Sequence, residues 1–426
     1  MNQLKRVAVV GGTRIPFCRS NSAYAQLSNL DMLADTLQRL VDQFDLGGRK
    51  IDEVIAGAVT THSRDWNLAR EAVLSTSLSP ATPGTTLQMA CGTSLQAALL
   101  AGARIATGQI DCAIAAGSDT TSDVPLVLQP RLVKRLLSAS QAKSFSAKMR
   151  NFKGFGLNEL APQAPANGEP RTRLSMGQHC ELMAKEWDIG RVAQDQWALE
   201  SHLKAAAAYD EGFFDDLLSP YQGVARDNNM RPDSTLNKLT ALKPVFDRSS
   251  HGTLTAANST PLTDGAAAVL LCSEEYAQSN GLSVQAWLTL GRTSAVDFVG
   301  GEGLLMAPTV AVSELLQAAQ LTLQDFDYYE IHEAFAAQVL CTLKAWEDPV
   351  YCKEKLGLPQ ALGSIDRSRI NVKGSSLAVG HPFAATGARI IGTLAKLLDK
   401  QSGKRGLISI CTAGGMGAAA ILESAN

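Results

Sequence analysis

No uninterrupted apolar run in the 426 residues reaches the length a bilayer-spanning helix needs. A strong charge of either sign is also missing. Lys and Arg total 39 against 41 Asp and Glu, for a net charge of −2 and a pI near 6.3, so no global basic field points to nucleic acid as a partner. The start "MNQLKRVAVVGG" enters a β-branched run almost at once and lacks the charged and apolar segments of a signal or transit peptide, which gives cytoplasmic residence as the expectation. The eight cysteines, at 18, 91, 112, 180, 272, 341, 352 and 411, contain no C-x-x-C pair. That spacing argues against a disulfide frame and a structural zinc site, and suits a reducing compartment.

What is present is a chain 45% hydrophobic, enough for a large core over two or three domains. Short apolar strands such as "RVAVVGG", "DCAIAAG", "AAAVLLC" and "GLISICT" alternate with Ala/Leu-rich helices, which predicts α/β layers with largely parallel sheets. An internal echo is visible. The stretch "MACGTSLQAALLAGARIATGQIDCAIAAG" has a small-residue turn, a helix and a buried strand, and "AVGHPFAATGARIIGTLAKLLDKQSGKRGLISICTAGG" repeats that order, as a duplicated unit would. Between Val124 and Asn158 there is no acid, while Arg131, Lys134, Arg135, Lys143, Lys148, Arg150 and Lys153 alternate with apolar residues. The segment reads as an amphipathic basic helix, either a solvated face or a surface for a membrane, a partner or the phosphates of a ligand. With the helical run that follows, it marks an inserted unit at 126–244, which splits an N-terminal core of 1–125 continued by 245–275 from a C-terminal core of 276–426.

Histidine is scarce, with six in the chain, and His381 sits between Gly380 and Pro382 at the mouth of an Ala-rich helix. Taken alone it is as easily a cap as a site residue. Cys91 opens the helix "TSLQAALLAGARIATG", where unpaired N–H groups and the helix dipole favour thiolate, the setting of a nucleophile, although an inert buried thiol has the same surroundings. Cys411 ends the strand "GLISI" before "TAGGMG", whose glycines allow close backbone approach to an oxyanion, or simply a tight hairpin. His332 and Glu333 lie where an apolar strand gives way to a helix, without the two-histidine spacing of a metalloprotease. Two cysteines and two histidines at strand ends beside glycine turns suggest acyl transfer through a thioester, because a thiolate exchanges acyl groups with another thiol at little net cost.

Those segments together resemble the thiolase family, over essentially the whole chain. "MACGTSLQAA" resembles its nucleophile segment, "HEAFAAQ" its Asn/His-Glu-Ala-Phe motif, "NVKGSSLAVGHPFAATGAR" its Gly-His-Pro motif and "CTAGGMGAA" its C-terminal cysteine-glycine motif, while "HGTLTAANSTPLTDGAAAV" resembles the segment re-entering the N-terminal core. Within the family the forms are most similar to the β subunit of the fatty-acid-oxidation multienzyme complex. The resemblance implies two similar βαβαβαββ halves in five layers, α-β-α-β-α, with a loop domain inserted in the first half. It implies degradation of 3-oxoacyl-CoA with coenzyme A to acetyl-CoA and a shortened acyl-CoA. Cys91 would be the nucleophile, His381 its activator, Cys411 the acid/base at the α-carbon, and His332 the orienter of a water in the first oxyanion hole. The second hole would use the backbone N–H groups of Cys91 and Ala413. For coenzyme A it suggests Arg231 near the adenine end, Thr260 near the pantetheine, and Ser175, which stands where many biosynthetic members carry histidine. Coenzyme A enters as a substrate; no cofactor or metal is implied. Partners implied are a second copy, as a dimer or dimer of dimers, and a hydratase-dehydrogenase α subunit. Acetoacetyl-CoA synthesis in the reverse direction, and a non-catalytic acyl-binding scaffold, are the rivals. Retention of Cys91, His381 and Cys411 argues against the scaffold, and Cys411 against a ketosynthase.

Overall fold

A computed structural model of the chain describes residues 4–426. Its strands are β1 (Val7–Arg14), β2 (Cys18–Arg19), β3 (Glu53–Gly57), β4 (Gly84–Thr86), β5 (Cys112–Asp119), β6 (Thr263–Ser273), β7 (Ala286–Ala295), β8 (Tyr328–Ile331), β9 (Arg405–Thr412) and β10 (Met416–Ser424). They lie in the order β4-β3-β5-β6-β1-β7-β10-β9-β8, with β2 attached to β6. The duplication shows in the pairing. In the first half β1 runs against β6, β6 against β5, and β5 with β3; in the second, β7 runs against β10, β10 against β9, and β9 with β8. The halves are joined at one short seam, Ala8↔Trp287 and Val9↔Ala286.

The expectation of largely parallel sheets is therefore corrected: antiparallel pairs dominate. Both faces of these sheets are covered by helices, so the strands read as continuous apolar runs, the pattern usually left by parallel strands. The direction is set by the connections instead. β9 turns into β10 through a hairpin in which Gly414 and Gly415 take φ of +78° and +70°.

Five layers result. Helices Asn29–Gln43 and Leu68–Leu74 cover the outer face of the first-half sheet, around Leu33, Leu37, Leu40 and Val54. Helices Ala307–Ala319 and Ala336–Glu347 cover the outer face of the second-half sheet, around Val312, Leu315 and Val339. Between the sheets lie Thr93–Ala106 and Thr386–Leu398, here called the cysteine helix and the histidine helix, packed on each other and on both sheets through Leu95, Ala98, Ile390, Ile391 and Leu394. Their approach is closest where glycine removes the side chain. A Cβ on Gly387 would overlap the backbone nitrogen of Leu95, and one on Gly117 of β5 would overlap the carbonyl of Ala384.

Residues 120–262 connect β5 to β6 and carry, among others, helices Pro130–Gln141, Phe145–Arg150, Met176–Glu186 and Arg191–Asp210. The single amphipathic helix expected over the basic segment is two, because Ser144 caps a new start, accepting from Ala147 N. Arg135 faces inward, pairing with Glu159 and with the carbonyls of Asn151 and Lys153. The connection is clamped to the core by Arg14 of β1, which donates to both oxygens of the buried Asp227 at 2.6 and 2.8 Å. Tyr209 Oη and Phe17 N complete the carboxylate's partners, so neither charge is left bare. No helix among the described residues is long and apolar enough to cross a membrane.

Gly117→Ala should lower unfolding stability by at least about 1–3 kcal/mol, the range for forcing atoms into a packed core. Gly47→Ala, whose nearest neighbour beyond its own chain segment is a serine hydroxyl at 3.6 Å, should change it by less than about 0.5 kcal/mol. Denaturant titration of both variants checks the contrast.

Candidate active site

The cysteine is presented by a strained turn. Residues Ala90–Gly92 form a 3-10 turn ahead of the cysteine helix, and Ala90 takes φ of +44°, a conformation that costs an L-residue about 1–2 kcal/mol. Thr93 holds it there: its hydroxyl accepts from Met89 N at 2.9 Å and donates to Ala90 O at 2.7 Å.

On the facing side Gly380, at φ +106°, turns the chain so that His381 N donates to Thr263 Oγ1 at 2.8 Å. Asp119, at the end of β5, accepts from Ala384 N as well as from Val59 N and Thr60 N, tying the histidine turn to the first-half sheet. His381 Nδ1 lies 2.5 Å from Thr386 Oγ1, the first residue of the histidine helix. His332 follows β8, with its N donating to Ser409 O and its Nδ1 2.8 Å from Ser376 Oγ. Next to it Glu333 is fixed by Trp197 Nε1, Ser201 Oγ, Asn371 Nδ2 and Leu377 N.

These segments converge. The two imidazoles stand 4.1 Å apart between ring centroids, and the Cys91 sulfur and one nitrogen from each ring all lie within 4.8 Å of one another. Among the described residues, Nε2 of both rings is buried without a partner. Cys411 in β9 borders the cluster, since the charge on Cys91 is felt at its thiol and a Cβ on Gly92 would press on Thr412.

Burial sets the resting protonation. It pushes Cys91 up to about 12, against hydrogen bonds from the backbone N–H groups of Ala413 and Cys91 that favour the thiolate. The helix terminus alone therefore does not ionise this cysteine, contrary to the expectation from its position. Cys411 is raised well above the usual thiol value by desolvation, then by Cys91. Desolvation, with the Arg389 guanidinium behind, lowers His381 to about 3 and lowers His332 well below 6.5. The resting pair is a neutral thiol beside a neutral imidazole able to take its proton. Cys91, His332 and His381 also have the loose spacing of three metal ligands, but only with the thiol ionised and both Nε2 atoms bearing lone pairs.

The residues suggested for coenzyme A are spread. Arg231 lines a cavity of about 300 Å³ with Arg19, Lys238, His202, Ser259 and Leu377. Thr260 flanks it, donating its hydroxyl to Ala334 O, while Ser175 caps helix Met176–Glu186 in a reciprocal box with Gln178. Leu377 borders both cavity and catalytic cluster, following Ser376 in sequence. Residues the sequence reading passed over are Asp119, Thr263, Thr386, Ser376 and Arg389. Only Arg389 carried a signal, as a charge inside an apolar helical pattern, and it is 5% exposed.

The thiolase N-terminal domain family matches residues 7–275 and the thiolase C-terminal domain family residues 287–424. The 3-ketoacyl-CoA thiolase of Yersinia pestis is 41% identical over 424 residues, covering 98% of this chain and 97% of that protein. The crystal structure of an acetyl-CoA acetyltransferase from Bacillus anthracis superposes with a TM-score of 0.82 at 28% identity, covering 99% of this chain and all of that one. An Ascaris suum thiolase in complex with coenzyme A superposes with a TM-score of 0.81 at 25% identity and the same coverage.

Because burial lowers His381 to about 3, its base form is complete by about pH 5. Acetylation of Cys91 by acetyl-CoA should show no acid limb between about pH 5 and 8, where an ordinary histidine would give one near 6.5. Stopped-flow labelling across that range measures it.

Proposed function

The chain belongs to the thiolase family, and on that premise we propose that it cleaves 3-oxoacyl-CoA with coenzyme A to acetyl-CoA and a shortened acyl-CoA, through an acyl group on Cys91. One observation carries the reading: a buried thiol and two neutral imidazoles with free nitrogens meet within 4.8 Å, bordered by a second thiol and two backbone N–H donors and beside a cation-lined cavity. His381 takes the Cys91 proton as the sulfur attacks the 3-keto carbon. The developing oxyanion is met by the N–H groups of Cys91 and Ala413, donors of the kind that supply a few kcal/mol each. The carbon–carbon bond breaks, the enolate oxygen of the departing acetyl-CoA is held on the His381 and His332 side, and Cys411 protonates its carbon. Incoming coenzyme A gives its proton to Cys411, and its sulfur takes the acyl group from Cys91. His381 returns its proton to the leaving Cys91 sulfur, so both cysteines end as thiols and the imidazole as a free base.

Arg231, with Arg19 and Lys238 at the cavity rim, would meet the phosphates of coenzyme A, and Thr260 and Ser175 would lie along the pantetheine and acyl path. Residues 126–244 form the inserted unit of this reading, between core parts 1–125 with 245–275 and 276–426. Free thiols at all eight cysteines fit a reducing cytoplasm. A second copy and a hydratase-dehydrogenase α subunit complete the partners. Every step is reversible, so the same residues would also condense two acetyl-CoA molecules, the activity named for the Bacillus anthracis relative.

The two cysteines are separable. Cys91→Ala should abolish both acetyl transfer from radiolabelled acetyl-CoA onto protein and thiolysis of acetoacetyl-CoA. Cys411→Ala should still accept the label while thiolysis falls by a factor of about a hundred to ten thousand, the range for losing a positioned acid/base. Label that survives in the first variant and vanishes in the second would exchange the roles.

Exposed Leu136, Leu137, Phe145 and Met149 stand beside exposed Lys134, Lys148 and Arg150, the composition of a face that docks on an anionic membrane. Charge reversal at those three cations should reduce co-sedimentation with phosphatidylserine vesicles, most at low salt, and spare short-substrate turnover. Unchanged vesicle binding, or loss of α-subunit binding alone, would reassign the face.

A further inference from the structure

Behind the catalytic imidazoles lies a buried polar chain that the reaction as written does not use. Arg389 of the histidine helix is 5% exposed and donates Nη2 to Ser376 Oγ at 2.8 Å; both of its terminal nitrogens also reach Ser375 Oγ, at 3.2 and 3.3 Å. Among the described residues Ser376 Oγ has one other partner, His332 Nδ1, at 2.8 Å. Both Ser376 and His332 are wholly buried, away from bulk solvent.

The direction of the hydrogen bonds follows by elimination. A guanidinium only donates, so the Ser376 oxygen accepts from Arg389. The hydroxyl hydrogen then needs an acceptor, and the single candidate is the lone pair on His332 Nδ1. His332 Nε2 is without a partner in either tautomer, but were Nδ1 protonated the serine would accept twice and its own hydrogen would become a second buried group with nothing to meet. We infer that Arg389 and Ser376 are positioning residues that lock His332 in its Nε2–H tautomer, making it a fixed hydrogen-bond donor in the first oxyanion hole, toward the thioester oxygen or the water it orients, and neither a base nor a metal ligand. This rests on the thiolase reading and deepens it.

The lock gives the two imidazoles opposite duties. His381 must offer a lone pair at Nε2 to take the Cys91 proton, which leaves its Nδ1–H to donate to Thr386 Oγ1, an arrangement its 2.5 Å contact permits. His332 beside it offers a hydrogen. The cluster thus holds an acceptor for the thiol proton and a donor for the oxygen that becomes negative, 4.1 Å apart between ring centres. The Arg389 charge also opposes protonation of either ring, so the donor stays a neutral imidazole.

Selective 15N-histidine labelling reads the tautomer directly, because the chain has six histidines and His332→Asn removes one resonance pair. The unaltered protein should show His332 with Nε2 protonated and Nδ1 bare. Ser376→Ala should shift that pair toward mixed tautomers and lower kcat for acetoacetyl-CoA thiolysis about 10–100-fold, with KM for coenzyme A within about twofold. Ser375→Ala, which removes an Arg389 partner but not the contact to His332, should leave the tautomer as it was. A protonated Nδ1 in the unaltered protein overturns the inference, whether or not the variants fold, and so does a Ser376→Ala variant with unchanged tautomer and kcat. Failure of the unaltered protein to take acetyl from acetyl-CoA onto Cys91 would instead strike the proposed reaction and leave the tautomer result standing.

Discussion

The cysteine helix and the histidine helix touch backbone to backbone at Gly387 and Leu95, and the turn before the histidine helix lies on the backbone of β5 at Gly117. The separation of Cys91 and His381 depends on those two contacts. Cys91 is at the leading end of one helix and His381 a few residues ahead of the other, so a side chain inserted at either contact would move the thiol away from its base. A change of about 1 Å in such a pair is enough to cost about a hundredfold in rate. The duplicated topology serves this contact. Each half contributes a sheet with one face turned inward, and the only elements that fit between two such faces are the paired helices with their small-residue surfaces, Ala97, Ala98, Ala101, Ala388 and Ala395.

A dry site follows from placing reactive groups at the centre of five layers. Dryness raises the cysteines and lowers the histidines, and in this chain both shifts point to uncharged resting groups. On the proposed path charge appears only during reaction, and the backbone N–H groups of Cys91 and Ala413 already face the sulfur where it begins. A fixed positive charge, Arg389, sits behind the imidazoles with Glu330 at 3.8 Å and serine hydroxyls in front. Strain at Ala90 and the positive φ at Gly380 are the local costs of the arrangement, each held by a threonine hydroxyl, Thr93 or Thr263.

The duplication was readable because its two copies keep the same small-residue turn, helix and strand, and the catalytic segments because Cys91, His332, His381 and Cys411 are chemically rare in apolar surroundings. Strand direction was not readable: sheets covered on both faces lose the alternation that marks an antiparallel strand. The resting state of Cys91 was not readable for a related reason. A sequence shows the helix end that favours a thiolate but not the burial that opposes it, and burial is the larger effect. Asp119, Thr263 and Ser376 escaped notice because their roles are made by chain segments distant in sequence, as in the contact of Asp119 with Ala384. Ser175 shows the converse, a position suggested for the ligand whose hydroxyl caps its own helix.

The central claim is that one buried sulfur carries the acyl group while the second cysteine moves only protons. Acid quenching during the first turnover of a 3-oxoacyl-CoA, followed by peptide mass mapping, tests it most directly. The account requires an acyl group two carbons shorter than the substrate acyl on the peptide containing Cys91, and its loss when coenzyme A is added before the quench. The same adduct on the Cys411 peptide, or turnover with no protein-bound acyl group at all, would contradict it.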